Sequence, residues 1–262
     1  MLPDVPLKTS TPGIYGRSRH AVRRNYALLP PEGLMPSVIP SFANTTINVL
    51  AAPALGASFV QFIAHIGPGG GSRRPLGEVG IQRFYYVLSG SIAIEVGTDG
   101  FQTLTPGCYA YIPPGVSHSI VNDGDETARL IGLKKRYEPI LIEEPEPIVS
   151  SRSRQQPVTR PGLAGRTWQY LLPLGDTRFD MEMNILSFGP GAFFENIETH
   201  VMEHGLYMLE GHGMYLLDTE WHETWAEDFI WMGPFCPQYF IPSPDTQTAY
   251  LLYKNVNRDV AV

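Results

Sequence analysis

Residues 191–211 read GAFFENIETHVMEHGLYMLEG. The stretch leaves a Gly-rich turn, passes Glu198, His200 and His204, and enters an apolar segment that stops at Gly211. One carboxylate and two imidazoles crowded into seven residues form a candidate donor cluster. The neighbouring segments are short apolar runs cut by Gly and Pro: MEMNILSF (181–188) ahead, then GMYLLD (213–218), DFIWMG (228–233) and TAYLLYK (248–254). Runs of this length, rich in β-branched and aromatic residues and bounded by turn residues, predict strands.

An earlier series repeats the pattern: SFVQFIAHI (58–66), FYYVLSG (84–90), SIAIEV (91–96), CYAYIPP (108–114) and TARLIGLKK (127–135). YYVLSGSIAIEV aligns with LYMLEGHGMYLL, and GCYAYIPPGVSHSI with EDFIWMGPFCPQYF. Duplication at about 120 residues implies two copies of one small barrel. The predicted architecture is therefore all-β, with an N-terminal arm over 1–45, a first barrel over 46–142, a linker over 143–165 and a second barrel over 166–262. The linker segment, EEPEPIVSSRSRQQPVTRPGLAG, is polar, Pro-rich and without periodicity. NYALLPPEGLMPS in the arm belongs to neither copy and is expected to pack across the barrels or against a neighbouring subunit.

Hydrophobic residues make up 43% of the 262 and charged residues 17%, which is ample for buried cores and the reverse of a disordered chain. A net charge of −7 argues against nucleic acid as a partner. The basic cluster of Arg17, Arg19, Arg23 and Arg24 is expected to be a solvated or intersubunit face. Two cysteines, Cys108 and Cys236, argue against a disulfide framework and suit a reducing cytoplasm. No signal peptide or apolar run of about 18 residues is visible, so no membrane partner is expected.

These segments resemble the cupin family, specifically the bicupins. The first cupin motif is matched by Gly191, Glu198, His200, His204 and Gly211; in the second, Glu227 stands at a usual Gly position and Gln238 at the fourth ligand position. The resemblance implies a divalent metal held by Glu198, His200, His204 and Gln238. On a strand, side chains two apart share a face, so Glu198 and His200 would enter the barrel together. A mixed nitrogen and oxygen set without sulfur suits Mn2+ or Fe2+, with Ni2+, Co2+ or Zn2+ also open. HVMEH also fits a zinc-peptidase string that requires a helix, but its flanks are turn and strand. In the first copy, His118 occupies the fourth ligand position while Gly77, Val79 and Arg83 (or, shifted by one, Glu78, Gly80 and Phe84) replace the other three; that barrel is expected to be structural. His212 and His222 are expected to be exposed in turns, and Cys236 to be a buried, inert thiol.

Within the bicupins the chain is similar to the (S)-ureidoglycine aminohydrolases, a manganese-dependent family, through NYALLPPEGLMPSVIPSF, LGASFVQF, IETHVMEHG, DFIWMGPFCPQYF and YLLYKNVNRDV. That likeness implies release of ammonia from a small ureide, substrate contacts at Gln238, Tyr250 and Lys254 with Tyr215 beside them, a cytoplasmic homo-oligomer, and Lys254 as the proton carrier. Independently, alternation in TAYLLYK puts Tyr250, Leu252 and Lys254 on one face. An inward lysine near a cation would be an acid or base close to neutral pH. Two rival readings are an Fe2+ dioxygenase or isomerase, and a non-catalytic small-molecule binder.

Overall fold

A computed structural model describes residues 19–140, 143–159 and 165–260. The arm forms a hairpin of β1 (Ala21–Val22) and β2 (Tyr26–Leu29). The N-terminal half follows with β3 (Phe42–Ala51), β4 (Phe59–Ser72), β5 (Ile81–Ser89), β6 (Ile92–Val96), β7 (Phe101–Leu104), β8 (Cys108–Ile112), β9 (His118–Val121), β10 (Ala128–Arg136) and β11 (Ile148–Ser151). The C-terminal half holds β12 (Arg166–Tyr170), β13 (Met181–Phe188), β14 (His204–Glu210), β15 (His212–Leu217), β16 (Glu220–Trp225), β17 (Phe229–Met232), β18 (Gln238–Pro242) and β19 (Thr248–Asn255). Helix is confined to three short 3-10 turns among the described residues. No helix there is long and apolar enough to cross a membrane.

Strands β3 to β11 make one nine-stranded sheet, ordered β11-β8-β5-β10-β4-β9-β6-β7 with β3 on β4. In the C-terminal half a seven-stranded sheet, β1-β2-β17-β14-β19-β13-β12, faces a three-stranded sheet, β16-β15-β18. Alternation explains why the central strands read as unbroken apolar runs. In FYYV, Tyr85 and Val87 enter the N-terminal interior while Phe84 and Tyr86 enter the seam between the halves. In TAYLLY, Tyr250 and Leu252 face the C-terminal interior while Leu251 and Tyr253 face the seam. Strands buried on both faces must be apolar on both.

The arm packs onto the C-terminal half by strand pairing: β2 pairs with β17, Ile230 opposite Leu28, and so extends the C-terminal sheet. Other expectations are corrected here. Arg19 is not a solvated or intersubunit cation, because its guanidinium bonds the buried Asp228 at 2.5 and 3.0 Å. Arg23 remains half-exposed and pairs with Glu220 at 3.0 Å, while Arg17 lies outside the described residues. Within the expected linker, IVSS forms β11 and completes an edge against β8, Ile148 opposite Tyr111. His212 and His222 sit on strands and are partly buried, the first stacked on Trp225 at 4.5 Å, the second 3.0 Å from the Tyr26 hydroxyl.

The seam also carries buried polar contacts. Asp180 takes Lys135 Nζ at 2.6 Å, Gln82 Nε2 at 2.5 Å and the Glu138 backbone N–H at 2.9 Å. Glu203, the acid inside HVMEH, accepts from the Ser58 backbone N–H at 3.0 Å and from Trp231 Nε1 at 2.7 Å. Burial raises the Glu203 pKa. That carboxyl ties the halves together, and no helix surrounds it.

Candidate active site

The C-terminal interior encloses a cavity of about 150 Å³ lined by Glu198, His200, His204, Tyr215, Gln238, Tyr250 and Lys254, which are all the residues singled out from sequence. Four separate stretches bring them there. His204 opens β14, Tyr215 lies on β15, Gln238 opens β18, and Tyr250 and Lys254 share one face of β19. Glu198 and His200 precede β14 in an irregular segment rather than on the expected strand. Reciprocal backbone bonds of 2.9 Å between Glu198 and Gln238, and Phe235 N–H to the His200 carbonyl at 2.8 Å, hold it in place.

His200 is the centre of the cluster. Its Nε2 lies 3.2 Å from His204 Nε2 and 2.9 Å from the Gln238 amide. Burial, with His200 and the Lys254 charge nearby, pushes the His204 pKa down to about 3, so it is a neutral imidazole with a lone pair to donate. Ligands at right angles around a divalent ion with bonds of about 2.1 Å stand about 3.0 Å apart. The separations fit that edge, and a half-turn of the Gln238 amide presents its oxygen, because the two ends are not distinguished by shape. Without a shared cation, two buried lone pairs would face each other unless one ring is protonated at Nε2. Glu198 is exposed at the wall of the same cavity, and no three His, Cys, Asp or Glu side chains meet among the described residues.

Lys254 points inward with Tyr250 and Leu252. Its Nζ is 3.2 Å from Glu182 Oε2, and Asn184 Nδ2 bonds the same oxygen at 2.9 Å. Tyr215 and Tyr250 are fully buried; burial is the main cause raising both phenols, reinforced by Glu198, so both stay protonated donors. Cys236 is buried and its thiol pushed up to about 11 by that burial, as an inert thiol should be. Cys108 and Cys236 are both free.

Sequence inspection missed Glu182 and Asn184, along with Trp168, Phe194 and Met202, which also line the cavity. The signal was available in MEMNILSF, where two polar residues sit at i and i+2 in the first half of a mostly apolar strand. A vestibule of about 680 Å³ adjoins the cavity and shares Glu182, Met202 and Lys254 with it. A cleft of about 820 Å³ at the seam is roomier but contains none of the donors. Its Arg129 is held bidentately by Glu227 at 2.9 and 3.0 Å.

Among the described residues the N-terminal interior has no such cluster. His118 Nε2 lies 3.0 Å from the Tyr85 hydroxyl, and burial pushes its pKa down to about 4. Arg83, itself buried, bonds Glu78 at 2.6 Å.

A family model described as a cupin domain matches residues 62–133, within the N-terminal half. The chain is 37% identical to the (S)-ureidoglycine aminohydrolase of Escherichia coli (strain K12), over 91% of each chain. It is 35% identical to the (S)-ureidoglycine aminohydrolase of Arabidopsis thaliana, over 93% of this chain and 80% of that one. The crystal structure of the protein Ylba from E. coli superposes with a TM-score of 0.84 at 36% identity, covering 94% of this chain and 97% of that chain. Oxalate decarboxylase of Bacillus subtilis, at 12% identity and a TM-score of 0.67, shares the fold.

Proposed function

The chain belongs to the (S)-ureidoglycine aminohydrolase family, and from that premise we propose that it converts (S)-ureidoglycine and water to (S)-ureidoglycolate and ammonia. The observation that carries this reading is the meeting of His200, His204 and Gln238 beside Lys254 in a cavity of about 150 Å³, the scale of an amino-acid-sized ligand. His200, His204 and Gln238 would hold Mn2+, with Glu198, on the cavity wall, completing the set. When bound, the cation supplies a Lewis acid and a template for the substrate's charged end, without redox change.

The chain's own residues do the rest. Tyr215 and Tyr250, kept protonated by burial, donate hydrogen bonds to substrate oxygens. The walls exclude bulk water and fix which face of the reacting carbon meets the incoming water. In the reaction the carbon–amine bond breaks, a carbon–oxygen bond to water forms, and one proton from water ends on the departing nitrogen. Lys254 Nζ is the proton carrier, and Glu182 holds it in place at 3.2 Å. A positioned acid or base of this kind contributes about 10²–10⁴-fold.

Ammonia release from freshly generated ureidoglycine, with and without Mn2+ and with an enzyme-free blank subtracted, is the test. A burst of ammonia above the blank, dependent on Mn2+, is expected. Oxygen consumption with no ammonia would replace the hydrolase by a dioxygenase.

A further inference from the structure

Two polar side chains of β13 stand apart from the donor cluster. Glu182 takes Lys254 Nζ at 3.2 Å and Asn184 Nδ2 at 2.9 Å on the same carboxylate oxygen. An ionised carboxylate can only accept, so the Asn184 amide must turn its NH2 toward Glu182 and its Oδ1 away. Asn184 is 3% exposed and lines the cavity, and its Oδ1 has no hydrogen-bond partner. Native structures rarely leave a buried carbonyl unpaired, because its lost hydration is not returned. The other polar groups of the wall are differently committed. Tyr215 and Tyr250 bond each other, Lys254 is held by Glu182, the Glu198 carboxylate is exposed, and His200, His204 and Gln238 face one another. An unpaired buried acceptor on this wall calls for a ligand with N–H groups of its own.

We propose that Asn184 Oδ1 receives a hydrogen bond from a ureido N–H of the ligand, which makes Asn184 the residue that selects ureides over other small carboxylates. The inference rests on the functional reading above and names the group that sets its specificity. A site built around a hydrogen bond discriminates strongly against an analogue that lacks the matching group, because the protein atom is then left unpaired. The N-terminal half supports the contrast. Phe62 pairs with Gly132 there as Asn184 pairs with Leu252, and that interior has an aromatic ring where the amide would be.

The test uses the Mn2+-loaded full chain and two non-reacting probes in a calorimetric titration. Ureidoacetate carries the ureido N–H groups; glyoxylate is a small carboxylate without them. Asn184→Leu, close in shape, is expected to weaken ureidoacetate by about tenfold while leaving glyoxylate within about twofold. Asn184→Ser, too short to reach the ligand, should behave the same way and covers the case in which the leucine variant fails to fold. Wild-type affinity for ureidoacetate in both variants would overturn the assignment. So would an equal loss for both probes, which would make Asn184 a structural residue. A wild-type protein that binds glyoxylate but no ureide, and releases no ammonia, would overturn the functional reading and this inference with it.

Discussion

In the N-terminal half Arg83 stands opposite Ile112 on one side and Lys134 on the other; in the C-terminal half His204 stands opposite Met232 and Lys254. Leu76 bridges His118 as Glu198 bridges Gln238. Opposite Lys134, Gly132 and Leu130 lie Val60, Phe62 and Ala64, where Lys254, Leu252 and Tyr250 face Glu182, Asn184 and Leu186. The same frame thus surrounds two different interiors. One half carries a cation of its own, the buried Arg83 neutralised by Glu78, and closes its interior with aromatic and aliphatic side chains. Its partner sets two imidazoles and an amide at that point, with no fixed cation among them. The N-terminal half also serves as a wall: Phe84, Tyr86, Ile131 and Leu133 present its outer face to the seam.

The largest effect should come from carrying the N-terminal solution into the C-terminal half. His204→Arg puts a fixed guanidinium among the donors, and bound manganese, measured by elemental analysis, should fall from one per chain to none. Ammonia release should drop by more than about 10³-fold, the scale of losing a metal-assisted step. Lys254→Met tests the proton carrier without touching the donors. Turnover should fall by about 10²–10⁴-fold with manganese content unchanged; retained activity would remove Lys254 from its role.

A smaller effect is expected from giving the N-terminal half the residue of the C-terminal one. His118 is buried and its pKa is pushed down to about 4 by that burial. The unfolded chain, with an ordinary histidine pKa of about 6.5, binds the proton first as pH falls. The histidine therefore costs no stability above about pH 6.5, and stability is lost progressively as pH drops from there to about 4. His118→Gln should remove that part of the slope, up to about 3 kcal/mol at pH 4, read as the difference between wild-type and variant urea midpoints. An unchanged difference between pH 7 and pH 4 would show that His118 is not buried neutral.

The smallest effect concerns the seam. Glu227 N–H bonds the Met208 carbonyl at 2.8 Å as Gly107 N–H bonds the Val87 carbonyl at 3.0 Å, so these two residues are equivalent. Both adopt left-handed backbone, φ 73° for Glu227 and 85° for Gly107. Glycine does so without strain, whereas glutamate costs about 1–2 kcal/mol there. Its bidentate contact with Arg129 offsets that cost. Arg129→Met should lower thermal stability by about 1 kcal/mol, allowing for partial exposure of both side chains. Glu227→Gly, which loses the same contact but relieves the backbone, should come out near neutral in the same melting experiment.

Much of this contrast was legible in the residues themselves. Alternation and turn punctuation revealed the strands, and of the two alignments open for the first copy, strand register matches the one that sets Arg83 at the position of His204. The convergence of Lys254 and Tyr250 on the cavity followed from the two-residue period of TAYLLYK. What stayed hidden depended on pairing across distant segments. Nothing local to MEMNILSF says that Glu182 meets Lys254, because that contact is set by the register of β13 on β19. Four-residue strands such as IVSS and YALL carry too little periodicity to be recognised, and both were won by a neighbouring edge that needed a partner. The irregular path of Glu198 and His200 is pinned by isolated backbone bonds to Gln238 and Phe235 rather than by a ladder, a feature no alternation rule describes.

The division of labour between the halves is tested most directly by anomalous scattering from crystals soaked in manganese. One peak per chain is expected, within bonding distance of His200, His204 and Gln238, and none near His118 or Arg83. A peak in the N-terminal interior, or a C-terminal cavity that stays empty with either imidazole turned away from it, would contradict the assignment.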